Sequence, residues 1–116
     1  MADKAYTFEL PVGEFVPDTN IAIISGGRIY PASNNIPNHA TKVFVYVVSA
    51  GPNRARVSVG GIVQYSGSLN LEYPIFLDIN GQVTQTANTT GFIKVLGKAV
   101  DTTRYLFQPE TSIILI

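Results

Sequence analysis

Histidine occurs once in this 116-residue sequence, at His39, and cysteine not at all. A general base needs an orienting acid and a nucleophile within reach. His39 instead sits in Pro31 to Lys42 (PASNNIPNHATK), among prolines and asparagines, and reads as a solvated loop histidine. The carboxylates Asp3, Glu9, Glu14, Asp18, Glu72, Asp78, Asp101 and Glu110 are scattered without calcium-loop spacing. Ser66-Gly67-Ser68 lacks the G-x-S-x-G frame of a nucleophile elbow. Gly26-Gly27 and Gly60-Gly61 lack the strand, loop and helix setting that cradles phosphate. Asn88-Thr89-Thr90 fits a glycosylation sequon, but no secretory signal accompanies it. Arg54 and Arg56 would share one face of a strand, able to grip a carboxylate or phosphate, but suited better to a solvated face or an intersubunit ion pair. Six tyrosines without a tryptophan suit a core or an interface better than a sugar platform. These residues point away from an enzyme, and imply neither metal nor cofactor.

The elements that must position them are strands. Ile75, Leu77 and Ile79 alternate with Phe76 and Asp78 before Asn80-Gly81, whose tolerance of positive φ predicts a two-residue hairpin into Gln82-Val83-Thr84. Tyr6, Phe8 and Leu10 alternate with Thr7 and Glu9, after which Pro11, Gly13 and Pro17 interrupt the chain. Residues 1–20 are therefore an extended N-terminal arm or an edge strand, and residues 21–116 a β-domain. Val43 to Val48 (VFVYVV) is continuously apolar, as a strand covered on both faces would be, by core on one side and by core or a partner on the other. Gly60-Gly61 separates two further strand-like runs, Phe92 to Val100 and Arg104 to Phe107 add others, and TSIILI ends the chain. No window carries helical apolar spacing over helical length. The expected fold is all-β, a small antiparallel β-sandwich or β-barrel of about nine or ten short strands. A weak internal echo relates 28–48 to 75–100, each with a strand, an Asn-centred turn, a polar bridge and a long apolar strand.

Charged residues make up 14% of the chain, where an average soluble domain has about 25%. Eight basic and eight acidic residues leave no net charge, so nothing steers the chain to nucleic acid or to an anionic membrane. So neutral a surface protects a free monomer poorly, which implies that subunits or a larger assembly cover part of it. With no signal sequence and no apolar run near the roughly 20 residues that span a bilayer, a soluble product of the cytoplasm is expected.

From about Ile21 onward the chain resembles a module of small β-structured bacteriophage virion proteins. The resemblance rests on Gly26-Gly27-Arg28-Ile29-Tyr30, the apolar strand Val43 to Val48, the glycine-flanked Val57 to Val63, the hairpin IFLDINGQVTQTA and the strand VLGKAVDTT from Val95 to Thr103. It covers about four-fifths of the sequence and contains no invariant chemical residue. The resemblance implies a non-enzymatic accessory subunit of the virion exterior, a homotrimer or homodimer made in the host cytoplasm. Its role would be capsid decoration (cement), fastening neighbouring copies of the major capsid protein. The alternative is a tail-fibre or baseplate component contacting host-surface glycans. On either reading the expected interface residues are Tyr6, Phe8, Leu10 and Phe15 of the arm and Asn34, Asn35 and His39 of the loop.

Overall fold

The computed structural model describes residues 7–115 and is all-β, with antiparallel sheets and no closed barrel. In chain order the strands are β1 (Thr7–Pro11), β2 (Ile21–Ser25), β3 (Arg28–Pro31), β4 (Val43–Ser49), β5 (Arg54–Ser58) and β6 (Gly61–Gln64). They continue as β7 (Pro74–Leu77), β8 (Val83–Thr84), β9 (Phe92–Ile93), β10 (Val95–Ala99), β11 (Arg104–Phe107) and β12 (Ile113–Ile114). Twelve strands replace the expected nine or ten because β8, β9 and β12 are two-residue pieces, too short to show alternation.

One sheet has the order β1-β5-β4-β2-β3 and the other β6-β11-β10-β7-β8, while β9 and β12 form a separate ribbon. Leaving β9 aside and renumbering each sheet from one to five, both orders read first, fifth, fourth, second, third. The chain therefore contains the same topology twice, over 7–58 and 61–107. The hairpin tips share backbone angles but not register: Ser25↔Arg28 closes directly on Gly26-Gly27, whereas Leu77↔Val83 leaves Asp78 to Gln82 between the paired residues, so the expected two-residue loop is corrected to a longer one. Gly26 and Gly27 have φ of 58° and 77°, and Asn80 and Gly81 have 54° and 78°. These values suit the type I′ turn expected at Asn80-Gly81, where the Gln82 amide donates to the Ile79 carbonyl at 3.1 Å. The true repeat thus aligns Gly26-Gly27 with Asn80-Gly81. The expected echo of 28–48 in 75–100 is out of register with this repeat, because it sets β3 against β7, whereas the topology matches β2 to β7 and β3 to β8.

Ile21, Ile23, Phe44 and Tyr46 of the first sheet meet Val63, Ile75, Leu77, Leu96, Tyr105 and Phe107 of the second in one buried core. Tyr46 stands edge-on to Tyr105, with ring centroids 6.5 Å apart. Burial in this cluster pushes the Tyr46 hydroxyl up to about 12, and the hydroxyl donates to the Gln64 carbonyl at 2.8 Å. Tyr105 is fully buried and its hydroxyl has no partner among the described residues. A buried hydroxyl without a partner carries a desolvation penalty. Tyr105→Phe is therefore expected to stabilise the fold by about 1 kcal/mol in urea unfolding, where most buried Tyr→Phe changes destabilise. A loss of stability would mean that the hydroxyl is bonded.

The VFVYVV strand is covered on both faces, and its own chain provides the second cover. Phe44 and Tyr46 face the core between the sheets. Val45 and Val47 face outward with Ala22, Ile29, Ala55 and Val57 onto Val16, which is 1% exposed. The connection from β1 to β2 crosses that face, anchored by bonds from the Val12 amide to the Asn53 carbonyl and from the Gly13 amide to the Ile29 carbonyl, both 2.9 Å. Of the two readings of residues 1–20, Thr7–Pro11 adopts the edge strand, paired antiparallel with β5 from Thr7↔Ser58 to Pro11↔Arg54. On its apolar side Leu10 packs against the outer cluster, while Phe8 is exposed.

Candidate docking site

Between β3 and β4 the chain first dives into the core and then returns to the surface. Asn34, 4% exposed, is the pivot. Its side-chain amide donates to the Leu77 carbonyl at 3.0 Å, its backbone amide to Asp78, and its carbonyl accepts from Phe92 at 2.9 Å. One residue thus ties the loop to β7 and β9 of the other half. Ile36 is extended, as a residue preceding proline must be, and Pro37 opens a 3₁₀ turn, Pro37–Thr41. The His39 amide closes that turn on Ile36 at 2.9 Å.

His39 is half-buried, and its Nδ1 accepts the Ser33 backbone N–H at 3.1 Å. That bond places the ring proton on Nε2. Burial and, secondarily, the Lys42 ammonium hold the imidazole below its ordinary pKa of 6.5. The folded state resists protonation, so the unfolded chain takes up the proton first. Stability is then complete above pH 6.5 and declines as pH falls through that value towards the folded pKa. In an NMR titration His39 is expected to titrate below 6.5, with the Ser33 amide moving on the same curve because its acceptor is lost. An ordinary midpoint with a stationary Ser33 would contradict this geometry.

Beside His39 opens a cleft of about 390 Å³. Its polar lining includes Glu14, Asn38, His39, Lys42 and Asn80, and Ile23, Tyr30 and Ile36 contribute apolar surface. Asn80 reaches it from the β7–β8 hairpin, whose tip is fixed by the Gly81 amide donating to Ala32 at 2.5 Å. Gly81 is buried there. On the far side of the 3₁₀ turn lies β12. Ser112 Oγ donates to the Ala40 carbonyl at 2.7 Å, and Ile113 and Ile114 pair with Ile93 and Phe92. Ile113 and Ile114 are nonetheless 58% and 60% exposed, and Ile36 and Val43, which flank the turn, are exposed as well. Residues 108–115 lie beyond the second copy of the five-strand topology and have no counterpart in the first.

The expected interface residues are dispersed. Asn35 and His39 belong to this end, with Asn35 exposed and accepting the Ser33 hydroxyl at 2.6 Å. Asn34 is corrected from surface to core, since its amide satisfies backbone carbonyls that the two halves would otherwise bury unpaired. Phe8 and Leu10 lie on β1 at the opposite edge strand of the first sheet from β3, Leu10 half-buried against the outer cluster. Phe15 is exposed on the connection covering that sheet. Tyr6 lies outside the described residues. Arg54 and Arg56 share a face as expected, and both reach Glu9 across the β1–β5 pair at 3.4 and 3.3 Å, an exposed ion-pair cluster. Glu14, Lys42 and Asn80 were not anticipated as neighbours, because they come from three separate segments. Among the described residues no three His, Asp or Glu side chains group as metal ligands, and no helix is long and apolar enough to cross a membrane. Compared with protein-family models, curated proteins and solved structures, the chain matches none.

Proposed function

We propose that this chain is a non-enzymatic structural subunit of a bacteriophage virion, a β-sandwich that decorates the outside of the shell. In this reading it acts as a homodimer or homotrimer, fastening copies of the major capsid protein without contacting nucleic acid or membrane. The observation that carries it is the exposed apolar end formed by Ile36, Val43, Ile113 and Ile114 on a chain with few charges. Single exposed apolar residues are common, but Ile36 and Val43 flank one turn, and Ile113 and Ile114 extend from both faces of the strand that Ser112 ties to it, which favours a partner surface. The tail that carries two of them is an addition to the repeated topology. Such a subunit stabilises an assembly by burying interface across a subunit boundary, with no turnover.

Immunogold labelling of purified particles tests the location. Label on the head supports decoration of the shell, label on the tail supports the tail-fibre or baseplate alternative, and unlabelled particles would overturn both.

A further inference from the structure

We propose that the cleft beside His39 binds a small polyhydroxylated carboxylate, of which a hexuronic acid is the simplest ring form. This goes beyond the docking reading and does not depend on it, since the cleft is lined mainly by residues outside the exposed apolar end.

The chemistry of the lining selects the ligand. Lys42 contributes an ammonium, His39 an Nε2–H left available by the Ser33 bond, and Asn38 and Asn80 contribute side-chain amides. Donors of this kind, one of them charged, suit a carboxylate, whose two oxygens accept several hydrogen bonds. Glu14 is the one carboxylate in the lining. It would repel a bare anion placed against it, but accepts from hydroxyls, so the ligand must present hydroxyl groups away from its own carboxylate. Tyr30, half-buried in the lining, offers apolar surface to the C–H face of a ring. A volume of about 390 Å³ lies in the range of small-ligand sites and holds one ring with some water.

The wall is also fixed before any ligand arrives. Asn80 has φ 54° and ψ 34° in a turn whose next residue, Gly81, is bonded to Ala32. Tyr30 is held in place against Gly13, where even a Cβ would come within 2.3 Å of its ring. A preformed wall lowers the entropy that binding must overcome.

The test is an NMR titration of the full chain with D-glucuronate, D-glucose and acetate. Glucuronate is expected to shift the amides of Ser33, His39 and Asn80 with a dissociation constant of about 1 mM, a typical value for so small a ligand. Glucose, which lacks the carboxylate, and acetate, which lacks the ring, should each bind about tenfold more weakly. Lys42→Ala should weaken glucuronate about tenfold, and so should Asn80→Gly, which keeps the left-handed turn while removing the amide. Equal binding of glucose and glucuronate, equal binding of acetate and glucuronate, or no shift with any of the three would overturn the proposal. None of these outcomes bears on oligomeric state, so failure here is distinguishable from failure of the docking end.

Discussion

Gly97→Ala is expected to leave little folded protein. Gly97 lies on β10, between β11 and β7, at φ +155°. The pairing of β10 with β7 shifts register between Val95 and Gly97, a β-bulge that leaves Leu96 without a partner on β7. A Cβ at Gly97 would fall 1.7 Å from the Leu106 carbonyl oxygen of the neighbouring strand. A backbone oxygen in a sheet centre cannot turn aside as the end of a side chain can. Relief requires β10 and β11 to separate, which would open the core around Leu96, Tyr105 and Phe107. The cost should exceed about 4 kcal/mol, a large part of the 5–15 kcal/mol that holds a typical domain together. Gly26→Ala is the control. Gly26 also has positive φ, but nothing lies within 4 Å of its Cβ position, so alanine there should cost only about 1 kcal/mol. Urea unfolding of both variants checks the contrast. A Gly97→Ala protein as stable as the Gly26→Ala protein would contradict the described bulge.

The second large effect concerns association. Ile113→Asp combined with Ile114→Asp should abolish self-association while leaving the monomer folded. Both side chains are more than half exposed, and β12 holds only two ladder positions against β9. If a partner covers them, each isoleucine contributes about 1.5–3 kcal/mol to the interface. Replacement by aspartate removes that and adds the desolvation of a charge. Together these should weaken association by a factor of about 1,000 or more. Sedimentation velocity of the variant, with thermal unfolding alongside, separates lost assembly from lost fold. Unchanged association would show that the interface lies elsewhere on the surface.

The sequence announced strands where alternation or turn chemistry was local. Asn80-Gly81 specifies its own φ angles, and VFVYVV shows by composition that both faces are covered. What covers the second face was not legible, because Val16 meets Val45 and Val47 only after the proline-broken segment folds back over its own sheet. The same long-range closure explains Asn34. An asparagine in a polar loop reads as solvated, and its burial depends on carbonyls of Leu77 and Asp78 more than forty residues away. The cleft was half visible, as a loop with one histidine. Its other wall comes from the β1–β2 connection and from the far hairpin, and only the tertiary fold brings these together. The duplicated strand order leaves almost no trace in side chains because equivalent positions face different surroundings. The cross-strand pair Glu9↔Arg56 between β1 and β5 is exposed, whereas Val63↔Tyr105 between β6 and β11 is buried.

A β-domain with no net charge, few charged residues and an exposed apolar end is suited to work as part of an assembly. Size-exclusion chromatography with multi-angle light scattering at micromolar concentration tests it most directly. The expected particle has two or three times the chain mass, reduced to one by the paired aspartate substitutions at 113 and 114. A wild-type chain that elutes as a monomer at that concentration would contradict it.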